Sequence, residues 1–270
     1  SEPGLDPTGG RVVVEATDPA SSNMDLWIMD DARGVSSRFT YDPKADLAGL
    51  WSPRGDKIAF ASDRAGVWDI YVKDSQGMGG VTPVWQDSTR KLPTDWSRDG
   101  RTLIVQRLGT GTAWDVWALP AGGDGKPYPV VASQFPEAQG RLSPDGHWLA
   151  YTSFESGTAQ IYVQPFPGPG GKWQVSSAGG TEPQWRGDGK EIYYLSLDRT
   201  LMAATVDASS GFHTGTPQPL FRADVPGSFV TRNRYCVSND GQRFLLISTQ
   251  MTELPPTTVV LNWTAEVESK

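Results

Sequence analysis

A five-residue turn motif recurs along this chain, and its period constrains the fold more than any other feature. Trp51-Ser52-Pro53-Arg54-Gly55 returns as Trp96-Ser97-Arg98-Asp99-Gly100, as Leu142-Ser143-Pro144-Asp145-Gly146 and as Trp185-Arg186-Gly187-Asp188-Gly189. Weaker copies are Leu5-Asp6-Pro7-Thr8-Gly9 and Val237-Ser238-Asn239-Asp240-Gly241. The closing glycines Gly9, Gly55, Gly100, Gly146, Gly189 and Gly241 are spaced by 46, 45, 46, 43 and 52 residues, so six copies fill the 270 residues. Self-similarity at such a period marks a repeat architecture in which each unit buries its apolar face against its neighbours.

Every copy has one anatomy. Pro presets φ, Asp bonds the local backbone and Gly accepts positive φ, so the motif is a turn. A β-rich run follows it: Val12 to Val14, Lys57 to Ala61, Thr102 to Gln106, Trp148 to Thr152, Glu191 to Leu195 and Arg243 to Ser248. A loop leads to a second run, Asp25 to Ile28, Asp69 to Val72, Asp115 to Ala118, Gln160 to Val163, Leu201 to Ala203 and Thr258 to Leu261. No stretch keeps a helical period, so the chain reads as all-β. Short antiparallel strands at this spacing predict a single six-bladed β-propeller over residues 1–270, built of four-stranded antiparallel blades. Leu5 and the strand from Thr257 to Trp263 are expected to meet, one blade sharing strands from both ends and leaving no open edge.

Trp-Ser-Pro-Asp-Gly, a β run, Ser62-Asp63-Arg64 and then Asp69-Ile70-Tyr71-Val72 together resemble the TolB-type WD40-like propeller repeat, most clearly over Trp51 to Asp74. Tyr162-Val163-Gln164-Pro165-Phe166-Pro167-Gly168, Trp173 to Ser176, Phe244 to Leu246 and Thr258 to Trp263 resemble the C-terminal propellers of bacterial membrane-anchored serine/threonine protein kinases. The resemblance implies an extracytoplasmic sensing or docking module, with a membrane-anchored kinase in the same full-length chain.

Counting back from each motif, odd offsets collect charge and amide groups while the −2 position is small or apolar at Gly49, Thr94, Gly140 and Pro183. Strand side chains alternate, so one set packs between blades and the other leans toward the channel, where charge avoids unpaired burial. This places Asp46, Lys91, Asp95, Glu137, Gln139, Arg141, Glu182, Arg232 and Arg234 around one axis. Two readings stand open: a ring of mutually satisfied ion pairs, and a ligand pocket whose arginines fork onto a carboxylate. Trp68, Trp114 and Phe154 lie on loops at the same mouth, either covering blade cores or offering a surface to a sugar, peptide or protein. Asp63-Arg64 reads as a local ion pair holding a loop.

Other chemistry is sparse. Formal net charge is −7, from 24 Lys+Arg against 31 Asp+Glu, which disfavours nucleic acid and anionic lipid as partners. No apolar run reaches the roughly 20 residues of a membrane span, and Ser1 does not open a signal peptide. The single Cys236 forms no internal disulfide framework, and His147 and His213 are too few for a histidine metal site. Gly122 to Pro127 lacks phosphate-loop spacing and is a turn; Asn262-Trp263-Thr264 fits a glycosylation sequon but falls in an expected core strand. There is no Gly-x-Ser-x-Gly elbow, kinase catalytic loop or His-Glu-x-x-His. The expectation is therefore a non-catalytic recognition module without cofactor or metal, binding a protein, peptide or envelope glycan at the channel mouth in the periplasm or at the cell surface. The alternative is a hydrolase using channel carboxylates, or the propeller of a peptidase without its catalytic domain.

Overall fold

The motif glycines fold as their chemistry requires. In a computed structural model that describes residues 3–18, 21–109, 113–122, 125–227, 232–248 and 258–260, all six have φ between 70° and 76°. Each donates its N–H to the carbonyl three residues earlier, as in Gly55 to Ser52 at 2.9 Å. In four copies the motif serine Oγ also accepts the N–H that opens the next strand, at Lys57, Thr102, Trp148 and Arg243. At Arg11 the carboxylate of Asp6 takes that place. These bonds satisfy the groups a reversing chain would otherwise leave bare, and they set the start of the following strand.

Among the described residues there is no helix, and the strands form six antiparallel sheets. Sheet I runs through Gly4–Leu5, Arg11–Thr17, Met24–Asp30 and Val35–Arg38. Sheet II has Asp46–Trp51, Lys57–Ser62, Asp69–Asp74 and Thr82–Trp85; sheet III has Lys91–Trp96, Thr102–Leu108, Trp114–Pro120 and Tyr128–Val131. Sheet IV has Glu137–Leu142, Trp148–Ser153, Gln160–Pro165 and Trp173–Gln174. Sheet V has Thr181–Trp185, Glu191–Leu195 and Thr200–Asp207, the last pairing with both His213–Thr214 and Gln218–Arg222. Sheet VI has Tyr235–Val237, Phe244–Leu246 and Thr258–Val260.

Six four-stranded blades are thus corrected to five full ones, with a three-stranded sheet after them among the described residues. The 52-residue interval between Gly189 and Gly241 is absorbed by the extra strand of sheet V. Among the described residues no sheet mixes strands from both ends: Gly4–Leu5 pairs with Arg11–Thr17, and Thr258–Val260 pairs with Phe244–Leu246. Thr257, Leu261, the Asn262-Trp263-Thr264 sequon and the Gly123-Asp124 part of the Gly-rich turn lie outside the described residues.

The chain divides into two compact units, Ser1–Gly140 and Arg141–Lys270, the division falling inside the strand Glu137–Leu142. In the first, Val13, Leu26, Phe39, Trp51, Ile58, Phe60 and Tyr71 form one core cluster, and Ala59, Ile70, Leu103, Val105 and Leu119 another. In the second, Phe212 joins Ala150, Ile161, Ile192 and Tyr194, while Tyr193, Leu195, Tyr235 and Phe244 lie in a further cluster. Two of the three motif tryptophans bridge consecutive sheets as well as filling space, while Trp96 Nε1 donates to Gly100 O in its own turn. Trp51 Nε1 donates to Gly4 O and Trp185 Nε1 to Arg141 O, each at 3.0 Å. Gly49 shows why the −2 position stays small, since a Cβ there would lie 2.8 Å from Val13 Cγ2.

Candidate functional site

Three of the strands that lead into a motif, Asp46–Trp51, Glu137–Leu142 and Thr181–Trp185, hold a left-handed residue three places ahead of it. Ala48, Gln139 and Glu182 have φ of 55°, 58° and 61°, a left-handed conformation unusual for residues with a Cβ. The strain turns the backbone N–H toward the preceding sheet. Ala48 N donates to Glu15 Oε1 at 2.8 Å, and Gln139 N to Gln106 Oε1 at 3.1 Å. Glu15 and Gln106 each stand six residues past a motif glycine. In sheet II that position is Ala61, with no side-chain acceptor, and the bulge position it would serve is Pro93, which has no N–H. In these three sheets acceptor and donor are present or absent together; past sheet V the acceptor position is Leu195, and the Arg234 N–H it would serve turns to the Glu182 carboxylate.

The first residue of these strands brings the predicted charges indoors. Asp46 is fully buried; Arg64 donates to its Oδ1 at 3.0 Å and its Oδ2 at 3.3 Å, and Ser62 hydrogen-bonds it as well. Burial raises the Asp46 carboxyl above its ordinary range in spite of these donors. Arg64 therefore does not pair with Asp63 as expected: it also reaches Asp42 at 3.7 Å and lies over the Tyr71 ring at 4.7 Å. Asp63 instead accepts the Ala45 N–H at 2.9 Å.

Lys91 is fully buried, with Nζ 2.6 Å from Asp69 Oδ1, 2.8 Å from Asp87 Oδ1 and 2.5 Å from Thr89 O. All three ammonium protons have acceptors. Burial pushes the Asp87 carboxyl up, but Lys91, the Thr89 N–H and Arg107 outweigh it and hold Asp87 below the ordinary range. Glu137, also buried, accepts from the Ser133 hydroxyl and, at 3.2 Å, from the Ser133 N–H. Asp95 is half-buried.

In the second unit, two predicted residues meet. Arg234 Nε lies 2.5 Å from Glu182 Oε1, and its backbone N–H donates to Glu182 Oε2. Both side chains are buried, and Arg234 Nη1 also binds the carbonyls of Pro226 and Gly227. Tyr235 donates its hydroxyl to Glu182 O at 2.8 Å; burial, and then the Glu182 charge, keep that phenol far from ionising. Arg141 and Arg232 are half-buried.

Of the loop aromatics, Trp68 and Trp114 pack on the cluster of Leu47, Ala48, Ala61 and Leu92. The exposed Arg90 guanidinium joins them, 5.5 Å from the Trp68 ring and 5.8 Å from the Trp114 ring. Phe154 is half-buried, and its carbonyl accepts the Gly157 N–H.

The second β run opens on an aspartate in three copies, Asp25, Asp69 and Asp115, and on Gln160 in a fourth, positions to which the sequence assigned no role. Asp25 meets Arg38 at 2.6 Å, Asp69 meets Lys91, and Gln160 accepts from Ser176 and from the Gly179 N–H. These side chains tie the end of a sheet to the loop that leaves it. Asp115 departs from the pattern. It is 8% exposed, and its Oδ1 is buried without a hydrogen-bond partner among the described residues. Burial pushes its carboxyl up against the opposing pull of Arg107. The repeated Asp25, Asp69 and Asp115 was the available signal. Among the described residues no group of three or more His, Cys, Asp or Glu side chains is placed to hold a metal ion, and no helix is long and apolar enough to cross a membrane.

No family model matches the chain. The uncharacterized peptidase YuxL of Bacillus subtilis (strain 168) is 26% identical to it over 214 residues, covering 72% of this chain and 32% of that protein. The chain thus spans about a third of the length of this curated relative. TolB from Acinetobacter baumannii superposes with a TM-score of 0.72 at 20% identity, over 90% of this chain and 59% of that one. A puromycin-hydrolyzing peptidase of Mycobacterium tuberculosis superposes with a TM-score of 0.66 at 18% identity, over 91% of this chain and 43% of that one. The fold is therefore a TolB-like β-propeller. The expectation of a non-enzymatic sensor module is corrected: the curated relative is a peptidase by name, and a peptidase stands among the similar structures. Neither they nor TolB connect the chain with a kinase.

Proposed function

We propose that the chain is the propeller of a peptidase, acting within a larger protein to admit and orient peptide substrates. One observation carries this reading. The likeness extends over most of this chain yet takes in only 32% of YuxL and 43% of the puromycin-hydrolyzing peptidase. A match of that shape corresponds to one part of a longer enzyme. The construction of the sheets supports the role, because bulge clamps and buried ion pairs make a rigid frame, and a preorganised frame loses little entropy when substrate docks. The extracytoplasmic location implied by the TolB-type resemblance accompanies this reading, and cell fractionation with an antibody to the chain checks it.

The test is to isolate the natural polypeptide that contains this sequence, map it by peptide mass spectrometry, and assay it on aminoacyl- and dipeptidyl-aminocoumarin amides. The expected result is a polypeptide longer than 270 residues that hydrolyses at least one amide. A natural polypeptide that carries a protein-kinase domain, or that cleaves none of the amides, would overturn the proposal.

A further inference from the structure

Within the second unit a cavity of about 450 Å³ opens beside the turns of sheets IV and V, away from the Glu182–Arg234 pair. Trp148 and Trp185 form its walls, Val206 adds apolar surface, and Asp145, Asp207 and Lys190 stand at its rim. That volume falls in the range of small-ligand sites, which pair apolar walls with a few fixed polar groups. The walls are fixed. Trp148 packs against Phe212 at 4.9 Å and edge-on to Trp173 at 5.5 Å, while Trp185 is held by its bond to Arg141 O.

The carboxylates are fixed too. Asp145 accepts the Ser143 hydroxyl at 2.5 Å and the His147 N–H at 3.0 Å; Asp207 accepts the Ser209 N–H at 2.9 Å and hydroxyl at 2.7 Å. All four bonds fall on Oδ1, and among the described residues no hydrogen bond falls on Oδ2 of either carboxylate. Asp188, by contrast, is occupied: Arg186 donates to both of its oxygens. Two carboxylates and two indoles lining one cavity suit a cation on an aliphatic stem, because ring faces attract the charge and the stem covers apolar surface.

We propose that this cavity is a binding site for the basic side chain of a peptide, with an alkylammonium or guanidinium group between Asp145 and Asp207 and its methylenes against Trp148 and Trp185. The carboxylates and indoles call for the cation on its stem; the peptide as its carrier rests on the peptidase reading, and the butylamine arm tells the failure of the one from the failure of the other. Lys190 opposes the ligand's charge and sets the affinity low. Its exposed position makes that opposition removable without disturbing the core.

The test is a calorimetric and NMR titration of the 270-residue chain with acetyl-Gly-Gly-Lys-Gly-Gly-amide, following the Trp148 and Trp185 indole signals. The arms are the same peptide with norleucine or glutamate in place of lysine, and n-butylamine. The lysine peptide is expected to bind and shift both indole signals, with the norleucine and glutamate peptides about tenfold or more weaker. Asp145→Asn with Asp207→Asn keeps the Oδ1 bonds, removes both charges and is expected to weaken binding by about tenfold or more. Lys190→Glu is expected to tighten it. Butylamine binding as well as the peptide would assign the site to small amines and overturn the peptide as occupant. Equal affinity for the norleucine peptide, an unaffected double variant, or no binding at low-millimolar lysine peptide would overturn the site.

Discussion

Replacing Lys91 with methionine removes an ammonium group that is 0% exposed and bonded to Asp69, Asp87 and Thr89. Methionine keeps much of the side-chain volume beside Trp85, so the change is mainly electrostatic. Asp87 retains the Trp85 indole N–H at 3.1 Å, the Thr89 N–H at 2.7 Å and Arg107 at 3.5 Å. Asp69 retains the Asp87 N–H at 3.2 Å but loses its cation while only 4% exposed. Stranding a buried carboxylate in this way costs about 3–5 kcal/mol, a large part of the roughly 5–15 kcal/mol of a typical domain. Urea denaturation followed by tryptophan fluorescence measures the loss as a lower midpoint. Asp69→Asn added to Lys91→Met neutralises the stranded group and should recover about 1–2 kcal/mol. A single variant within about 0.5 kcal/mol of the parent, or strict additivity in the pair, would refute the claim that Lys91 compensates the burial of these carboxylates.

Three further outcomes follow from the geometry. Glu15→Leu leaves the Ala48 N–H without its acceptor and should cost about 1–3 kcal/mol, whereas Glu15→Gln keeps a carbonyl oxygen there and should cost less than half as much; equal losses in urea midpoint would contradict the clamp. Asp115 has a folded-state pKa above its unfolded one, so its ionisation destabilises the fold as pH rises through and above the ordinary carboxylate range. Asp115→Asn should therefore raise the thermal midpoint at pH 7, with a gain that shrinks on acidification below about pH 4, and a variant that melts lower at pH 7 would show the carboxylate to be satisfied. Glu182→Gln weakens the buried pair with Arg234 and should lower stability by about 2–4 kcal/mol; a change below about 0.5 kcal/mol in urea unfolding would show that the Arg234 bonds to Pro226 and Gly227 suffice.

What the sequence determined by itself is local and periodic. Turn chemistry at Ser-Pro-Asp-Gly acts within five residues, so six positive-φ glycines and the strands that follow them were legible from spacing alone. The all-β class and the TolB-like repeat follow from the same period. The final sheet did not, because nothing in the motif says whether its fourth strand comes from its own repeat or from the other end of the chain; long-range pairing decides that, and among the described residues it gives five full sheets and a shorter one. The candidate charges were legible as a set, since Asp46, Lys91 and Glu137 share one repeat position. Their partners were not, because Arg64, Asp87 and Ser133 come from loops whose path depends on packing. The same holds for the bulges. A strand that kept strict alternation would lean its odd positions into open space, but the left-handed turn at Ala48, Gln139 and Glu182 breaks the alternation, and at Ala48 and Gln139 it directs the backbone N–H at the neighbouring sheet. Burying charge is tolerable only where a partner is already in place, and only the tertiary structure supplies that partner.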